Sequence, residues 1–197
     1  MFHIYIDDRL DLLDLDRALA QLPAWRLRHV LALRHEQLRR QSAAAYLLLC
    51  RALSEQFGIT APPPFAYGPH GKPCLPDRPD VHFNLSHCAE AALCVVSDVP
   101  IGADVEAVSQ YDVEVARYAM CTAELRAILG APRPDLAFAR LWTAKEAVLK
   151  LSGRGLTGQH QLQAILAAEA PHVVTTTYDA PDLRYVYSVS RERTIMP

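Results

Sequence analysis

Asp104 and Glu106 stand two apart in the segment Ile101-Gly102-Ala103-Asp104-Val105-Glu106. In an extended chain successive side chains point to opposite faces. Ile101, Ala103 and Val105 then form an apolar face, and Gly102, Asp104 and Glu106 form the other. Two carboxylates side by side on one face repel. A hard divalent cation such as Mg²⁺ relieves that repulsion and takes oxygen ligands of this kind. The alternative is a solvated polar strand face.

A second group lies in Leu141-Trp142-Thr143-Ala144-Lys145-Glu146-Ala147-Val148-Leu149-Lys150. On a helical wheel Phe138, Leu141, Trp142, Val148 and Leu149 make one apolar stripe. Lys145 falls near its middle and Glu146 on its edge. Such a lysine either reaches into a cleft that holds an anion or snorkels with its stem on the core. Glu146 and Lys150, four apart, also suit a plain helix ion pair.

A third group is Val81-His82-Phe83-Asn84-Leu85-Ser86-His87-Cys88. Val81, Phe83 and Leu85 alternate with His82, Asn84 and Ser86, which places Ser86 and His87 at the end of a buried strand. A hydrolase nucleophile needs Ser and His in contact, and adjacency does not provide that. No G-x-S-x-G elbow surrounds Ser86. A phosphate-binding turn is the better functional reading. Lys72 in Gly71-Lys72-Pro73, and Arg39, Arg40 and Arg51 on a long helical segment, add cations near loops and helix faces.

These groups need elements to hold them. Phe2 to Asp7 alternates as a half-buried strand. Leu10 to Leu22 has helical spacing and stops at Pro23. A long helix is expected from about Arg34 to Phe57, ending at Gly58. Pro62-Pro63-Pro64 and Gly68 to Pro79 read as loop. Strands follow at Val81–Leu85, Ala91–Ser97 and Ile101–Val105. Helices are expected at Tyr111–Ala119, Thr122–Leu129 and Asp135–Leu151, the last with Asp135 as N-cap. Val173–Tyr178 and Tyr185–Ser190 read as a hairpin or meander. The pattern is α+β, as two packed subdomains, 1–106 and 107–197, with a cleft between them.

The chain has 197 residues, 51% hydrophobic and 21% charged, with net charge −2. There is no global basic field asking for nucleic acid. The five cysteines, Cys50, Cys74, Cys88, Cys94 and Cys121, form no CxxC pair, which fits a reducing compartment better than a disulfide framework or zinc site. The N-terminus lacks a basic stretch followed by an apolar run, and no apolar run is long enough to cross a membrane. A cytoplasmic location is expected.

In this order the segments resemble the Sfp-type 4′-phosphopantetheinyl transferase family, within the holo-[acyl-carrier-protein] synthase superfamily. Gly71-Lys72-Pro73 matches its GKP element and Phe83-Asn84-Leu85-Ser86-His87 its F-N-x-S-H element. Gly102-Ala103-Asp104-Val105-Glu106 matches G-x-D-x-E. Trp142-Thr143-Ala144-Lys145-Glu146-Ala147, with Lys150 and Gly153-Arg154-Gly155-Leu156, matches W-x-x-K-E-A…K…G-x-G-L. The resemblance implies a pseudo-twofold arrangement of two similar α+β subdomains, with coenzyme A in the cleft between them. It implies Mg²⁺ on Asp104, Glu106 and Glu146, with Glu146 as general base, a water relayed through the metal shell being the alternative, and Lys150 beside it in catalysis. It also implies Arg40, Lys72, Ser86, His87, Lys145 and Lys150 as contacts to coenzyme A phosphates, Arg39 being the rival of Arg40. Two departures stand out. Cys88 replaces a small hydroxyl residue, and Tyr118-Ala119-Met120 replaces an aromatic pair.

The implied reaction moves phosphopantetheine from coenzyme A to a serine of an apo acyl or peptidyl carrier protein and releases 3′,5′-ADP. Fatty-acid, polyketide and nonribosomal-peptide carriers all remain open, and a monomer is expected. The carrier is expected on the segment 111–129, through an apolar patch including Val113, Tyr118, Met120 and Leu125, with Arg117 and Arg126 steering it. Two other readings use the same residues: a metal-dependent phosphohydrolase acting on coenzyme A-like pyrophosphates, and a non-catalytic module that captures carriers.

Overall fold

The computed structural model describes residues 1–155, 158–166 and 172–193. The chain opens on β1 (Phe2–Asp7) and a short 3₁₀ turn at Leu10–Leu12. Next come α1 (Leu15–Ala20), α2 (Ala24–Leu31) and the long α3 (Glu36–Phe57). Gly58 ends α3 at φ +66°, a left-handed turn that glycine adopts without a Cβ penalty. A two-stranded ribbon, β2 (Ala66–Tyr67) and β3 (Pro73–Cys74), lies within the Pro/Gly-rich loop. Then come β4 (His82–His87), β5 (Ala92–Ser97) and β6 (Ile101–Ala107). The helices α4 (Val113–Ala119), α5 (Thr122–Gly130), α6 (Pro134–Ser152) and α7 (Gln159–Ala164) precede the hairpin β7 (Val173–Asp179) and β8 (Tyr185–Glu192).

The fold is α+β. One antiparallel sheet has the order β1-β5-β4 and another the order β6-β8-β7. Both follow one plan: a strand, a long helix, then two strands of which the last takes the centre of the sheet. β6, placed at the end of the first unit by sequence, is by hydrogen bonding the edge of the second sheet.

β5 explains how the halves join. Its whole length is buried, which is why it reads as a continuous apolar run rather than an alternation. Ala92, Cys94 and Val96 pack with Leu49, Ala52 and Leu53 of α3. Leu93 and Val95 pack with Ile101, Ala103 and Val105 of β6. The expected apolar face of β6 is therefore the seam of the molecule. The edges of β4 and β6 also meet, and the Asn84 side-chain oxygen accepts from the Ala103 N–H at 3.2 Å. On the other face of β6, Gly102 lets α6 lie against bare backbone. A Cβ there would come within 2.1 Å of the Ala147 carbonyl oxygen and 2.3 Å of the Leu151 nitrogen.

Several expectations shift. The Leu10–Leu22 helix divides into the 3₁₀ turn and α1, because Asp14 caps a fresh start by accepting from the Arg17 N–H at 3.1 Å. Pro23 is not only a stop. It is the N-cap of α2, a helix the sequence reading did not contain. α6 begins one residue earlier than expected, with Arg133 as N-cap and Pro134 in the first turn, where its missing N–H costs nothing. Asp135 lies inside that turn, bound to Arg133. No helix among the described residues is long and apolar enough to cross a membrane.

Candidate active site

Asp104 is 3% exposed, so the solvated polar strand face is not what forms. Gly102 and Asp104 share the face of β6 covered by α6, which brings Lys150 to the carboxylate. Asp104 Oδ1 accepts from Lys150 Nζ at 2.6 Å and from Ser86 Oγ at 2.7 Å. Lys150 Nζ also donates to Ser86 Oγ at 2.9 Å. Three elements, β4, β6 and α6, thus meet in one polar triangle. Asp104 Oδ2 is buried and has no partner in it.

Two more carboxyls feel this charge. Burial, then Asp104, push Glu106 up to about 7, although Trp142 Nε1 donates to its Oε1 at 3.2 Å and Glu146 adds further repulsion. Burial and then Asp104 also raise Glu146, and Lys150 opposes the rise. Mutual repulsion of this kind places Asp104, Glu106 and Glu146 in one electrostatic neighbourhood. Among the described residues no three His, Cys, Asp or Glu side chains form a ready metal cage. The donor set still suits a hard cation. All its atoms are carboxylate oxygens, and the Asp104 Oδ2 lone pairs have no partner among the described residues. A cavity of about 320 Å³ opens beside them, with Lys72, Asn84, Glu146, Lys150 and Gly153 on its walls.

Ser86 and His87 do not form a nucleophile pair. Ser86 donates to Asp104, while His87 Nδ1 lies 3.2 Å from Gln41 Oε1 on α3. Desolvation lowers the His87 pKa most, and Lys150 and Arg26 lower it further. The imidazole therefore stands among cations, where an anion would be welcome.

Other expected contacts divide. Lys72 borders the cavity, but its ammonium donates to the carbonyls of Ile101 at 3.0 Å and Leu151 at 3.1 Å. It ties the loop to the start of β6 and the end of α6, where helix carbonyls lack partners. Arg40 donates to Glu36 at 2.7 Å and to the Leu13 carbonyl, on a cleft shared with Ala89. Arg39 turns away and donates to Leu33 and Leu31 carbonyls at 2.8 and 3.3 Å, which leaves Arg40 nearer the turn after β4.

Lys145 requires a correction. It neither snorkels nor enters the cleft. It is 0% exposed, and its Nζ sits 3.0 Å from Glu124 Oε2 and 2.7 Å from the Leu162 carbonyl oxygen. Nor do Glu146 and Lys150 behave as a mere surface pair, because Lys150 is engaged with Asp104.

Sequence reasoning missed Arg26 and Gln41. Arg26 is 8% exposed, donates to the Ser42 carbonyl and hydroxyl at 2.9 and 2.8 Å, and has an Nε with no partner among the described residues. Its helix was absent from the reading, so its burial had no frame. Cys88 is buried, and desolvation raises its thiol to about 11, which suits packing and not nucleophilic attack. On the outer face of α4 and α5, Val113, Val115, Tyr118 and Leu129 are exposed. Met120 and Leu125 belong instead to the core around Ile128 and Leu149. Leu156 lies outside the described residues.

Residues 100–192 match the model of the 4′-phosphopantetheinyl transferase superfamily. The chain is 35% identical over 95 residues to the 4′-phosphopantetheinyl transferase Sfp of Bacillus subtilis strain 168, which is 47% of this chain and 42% of that protein. It is 28% identical over 162 residues to another 4′-phosphopantetheinyl transferase of Bacillus subtilis, covering 80% and 71%. It is 32% identical over 124 residues to the 4′-phosphopantetheinyl transferase psf-1 of Bacillus pumilus, covering 61% and 53%. The matches span about half the length of the first and third of these relatives.

Proposed function

We propose that this chain, which belongs to the 4′-phosphopantetheinyl transferase superfamily, transfers the phosphopantetheine arm of coenzyme A to a serine of an apo acyl or peptidyl carrier protein and releases 3′,5′-ADP. The observation that carries this reading is the Asp104–Ser86–Lys150 triangle with an unused carboxylate oxygen, set beside the raised carboxyls of Glu106 and Glu146. A site of crowded acids next to cations suits a pyrophosphate more than a neutral ligand.

Asp104, Glu106 and Glu146 are the residues that would hold Mg²⁺. Bound there, it supplies positive charge against the pyrophosphate oxygens. Lys150 then exchanges Asp104 for a phosphate oxygen, which costs the ion pair but gains a charge-assisted bond. Ser86 donates to the same phosphate, and His87, Lys72 and Arg40 bind the remaining phosphates. Glu146 takes the proton of the carrier serine. The serine oxygen bonds to the β-phosphorus, and the bond from that phosphorus to the bridging oxygen breaks. The electron pair leaves with 3′,5′-ADP.

The carrier docks on the exposed α4–α5 face through Val113, Tyr118 and Leu129, without Met120. That face is what favours transfer to a protein over transfer to water, the phosphohydrolase reading. Intact acids beside a cleft also weigh against a non-catalytic module. The protein works as a cytoplasmic monomer whose two halves, divided between Ser97 and Ile101, are related by a pseudo-twofold axis. The test is release of 3′,5′-ADP from coenzyme A. It must require both an apo carrier and a divalent cation, and release without a carrier overturns the reading.

A further inference from the structure

The buried ion pair on α6 has no part in the chemistry above. Lys145 binds the Leu162 carbonyl of α7 and Glu124 of α5. The same Glu124 oxygen accepts from the Cys121 N–H at 2.7 Å and closes the first turn of α5. The other, Oε1, is buried without a partner among the described residues. Three helices therefore meet at one ammonium.

Such a pair is a weak source of stability. Desolvation of two ions offsets most of their attraction, and an unpartnered buried oxygen adds to the cost. Apolar side chains of similar volume hold helices together as well. Packing on β6 at Gly102 already sets the register of α6, and a charge pair with one bonding geometry narrows the few degrees of rotation that remain. Lys145 immediately precedes Glu146, so the two side chains leave α6 about 100° apart. Any rotation of α6 that draws Lys145 from Glu124 swings Glu146 by the same angle. At roughly 6 Å from a helix axis, a 10° rotation moves a carboxylate by about 1 Å, and a displacement of about 1 Å is enough to cost on the order of 10²-fold in rate.

We infer that Glu124 is a positioning residue for the transfer reaction: paired with Lys145, it pins the rotation of α6 and so aims Glu146 into the cleft. This rests on the transferase reading. The test compares the wild type with the Glu124→Gln/Lys145→Met double variant, which removes both charges and retains the cap acceptor. Four quantities are read: thermal midpoint, coenzyme A affinity, steady-state kinetics with a carrier, and the nuclear magnetic resonance shift of the Trp142 indole N–H. That indole sits on α6 and donates to Glu106, so it reports the helix rotation.

The expected result is a folded variant with coenzyme A affinity and carrier KM within about twofold of wild type, kcat down tenfold or more, and a moved Trp142 resonance. A folded variant with wild-type kcat and an unmoved resonance overturns the inference. So does a loss of kcat that merely parallels loss of coenzyme A affinity and thermal midpoint. Should the double variant not fold, Glu124→Gln alone is measured in the same way. Unfolding of both overturns the inference and assigns the pair to stability. If the wild type modifies no carrier, the transferase reading fails by itself. The Trp142 resonance then decides the pin, shifted supporting it and unshifted overturning it.

Discussion

Glu106 stores a conflict that pH can release. Burial and Asp104 lift its carboxyl from an ordinary 4.5 to about 7. Between those values the folded protein holds a proton that the unfolded chain has lost, so stability falls as pH rises through this window, and above about 7 the loss is complete. Glu106→Gln removes the repulsion and should gain about 1–3 kcal/mol at pH 8 and little at pH 4. Thermal midpoints across pH check this, and parallel wild-type and variant profiles would refute it. Glu146→Gln should keep coenzyme A affinity and lower kcat about 10²-fold or more, because it preserves shape and removes the base. Single-turnover transfer measured beside coenzyme A titration separates the two effects, and an unchanged kcat would remove Glu146 from proton transfer. The carboxylates were legible because strand alternation alone puts Asp104 and Glu106 on one face. Lys145 was legible only as a charge out of place. Its partner Glu124 lies on another helix, and no spacing rule connects the two.

Packing of α6 on β6 decides where the carboxylates go. Gly102→Ala should cost roughly 3 kcal/mol or more, because the clash is with the backbone of α6 at Ala147 and Leu151 and no rotamer avoids it. A denaturant midpoint near that of the wild type would contradict the close packing. On the exposed face of α4, Tyr118→Ala should leave folding and coenzyme A affinity intact and raise carrier KM several-fold, since Tyr118 is 48% exposed while its neighbour Met120 is 2% exposed. Steady-state kinetics with a carrier check it, and an unaltered KM would move the docking face elsewhere. Long, strongly periodic elements were readable: α3, β5 and α6 fall close to where their patterns put them. α2 was not. It is a short helix whose inner face carries Arg26 beside Trp25, and the charge masks the apolar stripe. Trp25, Tyr46 and Phe65 form the aromatic cluster that holds it, with ring centroids 5.1–5.8 Å apart. Those contacts join residues far apart in the chain, beyond the reach of a local pattern.

The two sheets share one strand order, although the halves show no clear sequence repeat. Hydrophobic pattern specifies strands and helices, while many different side chains satisfy one topology, so no residue pattern shows the shared plan, and in the sequence only the family resemblance implies it. Its consequence is a seam at which β4, β6 and α6 bring Ser86, Asp104 and Lys150 together, with Glu146 and Lys150 on the wall of one cavity. Crowded carboxylates at that seam are best relieved by a cation. Mg²⁺ should therefore raise the thermal midpoint of the ligand-free protein, by ligand linkage, and Asp104→Ala should abolish that rise. A rise that persists in the variant would place the ion elsewhere. The claim that joins these scales is group transfer to a protein, and the intact mass of a carrier tests it most directly. An apo carrier incubated with this chain, coenzyme A and Mg²⁺ should gain the mass of one phosphopantetheine on its serine, with one 3′,5′-ADP released per carrier modified. A carrier of unchanged mass, while coenzyme A is cleaved to free phosphopantetheine, would contradict the account.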